Sequence, residues 1–181
     1  LWAGTDKGIS KIYNNKVVNY TEEDGLAYNN CWAIIEDEMK NLWFGSYGGG
    51  ITHFNGEKFN VINTSNGLIH NSIRKLFVYK NFLYVGTKAG ISIINTKNKK
   101  ITNPKTDTPL QVMGFFEYQK QIYIQTYRKG VWTYNSKKET LESITPSPKN
   151  VFSVFKQKDS ILVSFDGYTH KNKSIKKYSI K

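Results

Sequence analysis

Cysteine is almost missing from this chain: Cys31 is the single one among 181 residues. No intrachain disulfide can form, and no cysteine-based metal site can be assembled. Cys31 follows Asn30 at the start of an apolar run, so it reads as a small buried hydrophobe. Long apolar runs are missing as well. None approaches the roughly 20 residues that a membrane-spanning helix needs, and the chain does not open with the charged and apolar segments of a secretory signal. The first residue is Leu, not Met, so the expectation is that residues once preceded it and that the missing signal says nothing about compartment. No segment carries a helical apolar period.

The motifs of common chemistries are absent too. His53, His70 and His170 lie in different parts of the chain, without the His-x-x-x-His spacing of a metal site. No Gly-x-Ser-x-Gly elbow appears, and the lone Cys has no evident partner. The run "GSYGGG" at 45–50 is followed by neither Lys-Ser/Thr nor a helix, so it is not a phosphate loop. No catalytic residue, metal or cofactor is therefore expected. Asp24 and Glu36-Asp37 could pair as carboxylates, but their places suit turn capping and hairpin ends.

What is present is a globular composition, 39% hydrophobic and 14% aromatic with 14 Gly, in a length that fits one domain or part of a larger one. The net charge of +12 is unevenly spread: residues 1–60 hold 5 Lys against 8 Asp and Glu, whereas 61–181 hold 21 Lys and Arg against 6. A basic half suits an anionic partner such as an acidic glycan, a lipid headgroup or nucleic acid. Most of these lysines, however, sit in turn-like clusters such as "NTKNKK" and "NSKKET", which favours a solvated surface. Nucleic acid is not an expected partner, because no binding fold for it is recognisable.

The chain also repeats itself. Leu1-Trp2-Ala3-Gly4 recurs as Leu42-Trp43-Phe44-Gly45 and Leu83-Tyr84-Val85-Gly86, and more weakly as Ile122-Tyr123-Ile124-Gln125 and Ile161-Leu162-Val163-Ser164. A second marker follows it: Gly8-Ile9, Gly50-Ile51, Gly90-Ile91 and Gly130-Val131. A third pairs "GLAYNN" (Gly25 to Asn30) with "GLIHNS" (Gly67 to Ser72). A period of about 40 means stacked supersecondary units. The second copy reads as four short strands, "CWAIIED", "LWFGS", "GITHF" and "KFNVIN", separated by the turns "EMKN", "YGG" and "NGE". Four strands at this period predict the blade of an all-β, antiparallel β-propeller. In such a blade the inner strands are buried on both faces. Core packing in the wedge between blades is a reading open to all four Trp and the preferred one for Trp2 and Trp43, and the adjacent Gly is expected to let another backbone or ring come close. His53, inside a strand, is expected to be half-exposed.

The blade parts fall at 1–20, 31–63, 72–103, 110–144 and 149–181, giving three complete blades and two partial ones in a single propeller segment. The first partial blade starts on a second strand, and the last stops on a third. A closed propeller needs at least four blades, and an open run would expose apolar faces and an unpaired edge. The expectation is an incomplete propeller: a piece of a longer chain, or one partner in an assembly that covers its ends.

The stretches "EDEMKNLWFGS" and "EDGLAYNN" resemble the two-component regulator propeller repeat. That family's pattern is an apolar strand ending in Glu-Asp, a Gly-Asn-Leu-Trp turn and strand, Gly-Thr, Gly-Leu, and an Asp-Gly-Leu-x-x-Asn loop. The likeness is strong over residues 1–95 and degenerate over 96–181, where Gln125 and Ser164 replace the strand Gly and the Gly-Leu-x-x-Asn loop is missing. The resemblance implies the extracytoplasmic, periplasmic or surface-exposed, sensor region of hybrid histidine kinases of Bacteroidetes, a group that detects oligosaccharides. It equally allows a scaffold, since similar repeats occur in a propeller protein of the type IX secretion attachment complex.

Propeller ligands commonly meet the face built by turns between second and third strands and by blade-to-blade connections. On this register that face collects Tyr28, Asn29, Asn30, Tyr47, His70, Asn71, Ser72, Lys88, Tyr127, Arg128, Lys129, Tyr168 and His170. Tyr rings suit the apolar face of a sugar, Asn amides both donate and accept, and Arg128 can hold a carboxylate or sulfate through two bonds. Arg128-Lys129 stands out because it interrupts an otherwise apolar repeat position. Asn29 and Asn71 have an equally good structural reading, bonding loop backbone. Three functions follow: an extracytoplasmic sensor for an oligosaccharide or another polar or anionic ligand; a scaffold contacting a protein partner or a second copy as a homodimer; and a propeller lyase, which needs a His or Tyr base. The first is favoured. The segment itself is expected to be no enzyme, although a full-length protein could carry a histidine kinase.

Overall fold

The computed structural model describes residues 1–145 in full and, beyond them, the backbone of strands within 151–157, 160–165 and 175–179. Among the described residues the chain is built of five antiparallel sheets, each a simple meander: three strands, then three sheets of four, then three strands. The first sheet holds β1 (Trp2–Thr5), β2 (Gly8–Tyr13) and β3 (Lys16–Tyr20). The second holds β4 (Cys31–Glu36), β5 (Leu42–Ser46), β6 (Ile51–Phe54) and β7 (Phe59–Ile62). The third holds β8 (Ile73–Tyr79), β9 (Phe82–Thr87), β10 (Ile91–Asn95) and β11 (Ile101–Thr102). The fourth runs through β12 (Val112–Tyr118), β13 (Gln121–Thr126), β14 (Gly130–Asn135) and β15 (Thr140–Ser143), and the fifth through β16 (Val151–Gln157), β17 (Ser160–Phe165) and β18 (Ile175–Ser179). The all-β, four-stranded blade predicted from the period is the one observed. Residues 1–104 and 105–181 form two compact units.

In the first unit the repeated Gly explains itself. A Cβ placed on Gly45 would lie 2.7 Å from Ile73 Cγ2, and one on Gly4 would lie 2.8 Å from Cys31 Sγ. In the first two sheets the strand that opens with Trp2 or Leu42 thus carries a Gly where the first residue of the next sheet's inner strand presses against it. Trp43, fully buried, sits in a core made with Ile51, Leu68, Ile73, Leu83, Val85 and Ile94, drawn from the second and third sheets and the loop between them. Trp2 meets Phe44 and Phe54 of the second sheet at ring distances of 5.5 and 5.6 Å. Both Trp fill the wedge as expected. Cys31 is half-buried rather than fully so, and burial pushes its thiol up to about 11, out of reach of nucleophilic chemistry.

Two matching loops cross from blade to blade. Each starts with a short turn whose third residue bonds back to the residue before it: Thr21 N–H donates to Asp24 Oδ2 at 2.8 Å, and Asn63 N–H to Asn66 Oδ1 at 2.6 Å. Asp24 is thus a cap. Gly25 (φ +104°) and Gly67 (φ +112°) then adopt the left-handed backbone that ends the turn. Glu22 N–H donates to Asn29 Oδ1, and Thr64 N–H donates to Asn71 Oδ1. Further on, Ala27 N–H donates to Thr52 Oγ1 at 2.8 Å and Ile69 N–H to Ser92 Oγ at 3.0 Å, both on the third strand of the following blade.

A buried polar group joins the second and third sheets. Asp37 accepts from the Trp43 indole at 2.9 Å, from the Asn41 amide side chain, and from the Met39 and Asn41 backbone. Burial alone would raise its pKa, but these hydrogen bonds outweigh it and hold the carboxyl below the ordinary carboxylate value. His53 lies 4.3 Å from the Trp43 ring, and Lys99 Nζ is 3.2 Å from His53 Nε2 and 4.6 Å from the Trp43 ring. His53 is only 7% exposed, not the half-exposed strand residue that alternation suggested. The neighbouring blade covers the face that a lone strand would turn to water.

In the second unit the degenerate copy fits the larger side chain within its own sheet. Gln125 stands where the first three repeats have Gly, and its cross-strand partner is Gly114. A Cβ on Gly114 would meet Gln125 Oε1 at 3.1 Å.

Two outcomes follow for stability. Gly45→Ala drives a methyl into Ile73 and is expected to cost about 1–3 kcal/mol in chemical denaturation, as overpacking does. Burial, reinforced by the Lys99 ammonium, pushes the His53 pKa down to about 4. The unfolded chain takes up that proton near 6.5 and the folded chain only near 4, so the contribution is complete above pH 6.5 and lost as pH falls toward 4. Denaturation midpoints measured across this window should fall by about 1–2 kcal/mol in free energy, and His53→Gln should flatten that slope.

Candidate functional site

The inner strand of each complete blade, and that of the fifth sheet, carries a one-residue bulge. Register shifts between Cys31 and Ala33, Ile73 and Lys75, Val112 and Gly114, and Val151 and Ser153. The extra residue leaves the ladder and its side chain is re-aimed. In the first unit the two bulged residues are Trp32 and Arg74. Trp32 is 62% exposed, so the core-packing reading that holds for Trp2 and Trp43 does not extend to it. The repeat held the signal: Trp32 aligns with Arg74, and a position taken by Arg in the next copy is not a core position.

Trp32 leans on Tyr47, ring centroids 5.7 Å apart. Tyr47 opens the turn after β5, and its backbone N–H donates to Asn30 O at 3.2 Å while it bridges to Ser72. Gly48 N–H and Gly50 N–H both donate to Asn71 O. Gly49 is required here, because a Cβ would lie 2.0 Å from Ala27 O. The turn is thus clamped between the two crossing loops. Lys88, from the equivalent turn of the third sheet, reaches over the Tyr47 ring with Nζ 4.6 Å from its centroid. Its hydrogen bond to the phenol lowers the Tyr47 pKa, an effect reinforced by the charges of Lys88 and Arg74. Tyr28, 46% exposed, lies beside Gly48.

The structure therefore brings Tyr28, Asn30, Tyr47, Asn71 and Lys88 together around Trp32 and Arg74. Asn29 and Asn71 have their side-chain oxygens engaged by the Glu22 and Thr64 amides, the loop-bonding reading. His70 Nδ1 accepts from Ser72 N–H at 2.9 Å, which leaves the proton on Nε2. Tyr127, Arg128 and Lys129 lie in the second unit, in the turn between β13 and β14, all three exposed. The Arg128 guanidinium rests 5.1 Å over the Tyr127 ring, and Lys129 O accepts from the Trp132 indole at 2.7 Å. That turn is polar in other copies too, Asp6-Lys7 and Lys88, so Arg128 interrupts no apolar position. Tyr168 and His170 lie outside the described residues. Among the described residues no cluster of His, Cys, Asp and Glu could hold a metal ion, and no helix is long and apolar enough to cross a membrane.

The meander sheets at a 40-residue beat define the class: blades of a β-propeller. A WD40 β-propeller domain of Doa1 matches 88% of this chain over 54% of its own, at a TM-score of 0.58 and 12% identity. No protein-family model matches the chain. A relative in sequence is histidine kinase P4 of Formosa agariphila, 32% identical over 158 residues, 78% of this chain and 12% of the kinase. In structure, the extracellular domain of a putative hybrid two-component system of B. thetaiotaomicron gives a TM-score of 0.74 at 18% identity, over 91% of this chain and 25% of that domain. PorZ, a surface component of the type-IX secretion system of Porphyromonas gingivalis, gives 0.65 at 13% identity, over 88% and 23%. These relatives bear out the resemblance to the two-component regulator propeller repeat. The chain spans about an eighth of the kinase and a quarter of the extracellular domain.

The Lys88 contact is open to direct test. In chains with ring-labelled tyrosine, the Tyr47 signal should titrate below the ordinary tyrosine value, and Lys88→Ala should move it back up.

Proposed function

We propose that this chain is part of an extracytoplasmic recognition propeller of a two-component sensor, and that it binds an oligosaccharide on the Trp32–Tyr47 shelf. The observation that carries this is Trp32 itself. A bulge puts the largest side chain of the repeat into water, against a second ring, with cationic Lys88 and Arg74 beside it. Nothing in the core needs it there. Aromatic faces bind the C–H faces of sugar rings, and the two cations add attraction for a carboxylate or sulfate substituent. The likeness to extracellular domains of hybrid two-component systems and to a histidine kinase supports the sensor context. Binding without turnover is expected.

The likeness to PorZ supports a second reading, an attachment propeller in a surface complex, in which the same shelf meets a protein. An oligosaccharide array, followed by calorimetry, separates the two. Under the first reading a neutral or acidic glycan binds, Trp32→Ala weakens it at least about tenfold, roughly 1.4 kcal/mol, and Arg128→Ala leaves it unchanged. An array with no ligand, or affinity indifferent to Trp32, removes the first reading.

A further inference from the structure

The second and third sheets put opposite chemistry in matching places. The bulged residue is Trp32 in one and Arg74 in the other. The residue after the second strand is Tyr47 in one and Lys88 in the other. The crossing loops follow the same rule: Tyr28 of the first has His70 as its counterpart in the second, and the Nε2 of His70 carries a proton to donate. A ring-bearing sheet thus stands beside one that bears hydrogen-bond donors and positive charge.

Those charges have no counter-charge in the protein. From Lys58 to Thr106 the chain holds nine Lys and Arg and no Asp or Glu. Among the described residues the ion pairs are Lys40–Glu36 and Lys138–Glu142, neither of them on the third sheet, and the Arg74 guanidinium has no hydrogen-bond partner. Lys88 has only the Tyr47 ring and phenol. Two acids of the first crossing loop are held by loop backbone: Glu22 Oε1 accepts from Asn29 N–H at 3.1 Å, and Asp24 Oδ2 from Thr21 N–H at 2.8 Å. Arg74 and Lys88 both act on the Tyr47 phenol through their charge, so they share its surroundings. Two cations in one place repel each other, and an anion between them relieves that repulsion.

We propose that the shelf takes an acidic saccharide, with a sugar ring on Trp32 of the second sheet and an anionic substituent, carboxylate or sulfate, between Arg74 and Lys88 of the third. This rests on the shelf being a glycan site. The planar fork of Arg74 meets two oxygens of such a group at once. An exposed cation is held only weakly over a ring, so the anion draws Lys88 from Tyr47 and frees that ring for sugar. A neutral glycan gains the ring contacts alone and leaves both cations unpaired.

The test is an array of tetramers of galacturonic acid, of mannuronic acid and of sulfated galactose, each beside its carboxyl-reduced or desulfated form, followed by calorimetry on the whole chain. At least one acidic tetramer should bind about tenfold or more tightly than its neutral form; which acidic arm binds tells carboxylate from sulfate. Its affinity should fall as salt rises from about 0.05 to 0.5 M. Arg74→Gln and Lys88→Gln should each weaken the acidic form about tenfold and leave the neutral form unchanged, with Arg74→Lys recovering part of the loss. Lys97→Gln and Lys100→Gln remove the same charge from the turn at the other end of the third sheet and should change little. Equal affinity for acidic and neutral forms, lost in both on Trp32→Ala, overturns this proposal and leaves the glycan shelf standing. A loss at Lys97 and Lys100 as large as at Arg74 and Lys88 overturns it as well, because the attraction then belongs to the whole sheet. An array that binds no tetramer overturns it together with the glycan reading.

Discussion

Everything in the first unit depends on how closely one blade can approach the next. A sheet with apolar residues on both faces cannot stand alone in water; burial is worth about 25 cal/mol per Å², and only a neighbouring sheet can supply it. Gly4 and Gly45 set the distance by omitting a Cβ where Cys31 and Ile73 press in. Trp2 and Trp43 then fill the space that the closer edge leaves open. The crossing loops complete the joint by giving their backbone N–H groups to Thr52 and Ser92. Backbone buried in such a joint has to be paired, and each loop is paired to the blade it is about to join.

The same constraint explains where a ligand can sit. The loops that lock the blades also emerge at their rim, where Asn30 and Asn71 carbonyls hold the Tyr47–Gly50 turn from both sides. The bulges fall on this rim, because the inner strand must leave its ladder there to follow the loop. A bulge strengthens local twist and frees one side chain; here that side chain is Trp32 in one copy and Arg74 in the next. A molecule seated on the Trp32–Tyr47 shelf touches the second sheet directly and the third through Lys88. The joint between blades and the proposed site share residues, so a ligand that preferred one blade spacing over another would shift that spacing, and the spacing would shift its affinity by the same factor.

How much of this could be read from residues alone differs by level. The blades were legible because three markers recur in phase, and each has a local cause: Gly at φ > 0 in the turns and loops, Gly under Ile73, Leu and Trp in the wedge. The loop asparagines were legible as backbone holders, because their spacing from a turn is the same in both copies. His53 was not. Alternation tells which side of a strand a residue faces, but not that Lys99 of the next blade closes over that side. Trp32 was missed for a related reason: an apolar run looks continuous until a register shift removes one member, and no local residue preference announces the shift. The Trp32–Arg74 alignment was the available clue. Gln125 is a loss of the motif in sequence, and Gly114 across the strand pair makes room for its side chain.

Native-state hydrogen exchange on the first unit tests the joint most directly. If the crossing loops and the sheets are one sealed body, the amides of Gly8, Ala27, Gly50 and Ile69 should open with the core amides of Trp43, Val85 and Ile93, at one common free energy and with one common dependence on denaturant. Loop amides that exchange freely while the strand amides stay protected would show sheets that stand without the joint, and would contradict the account.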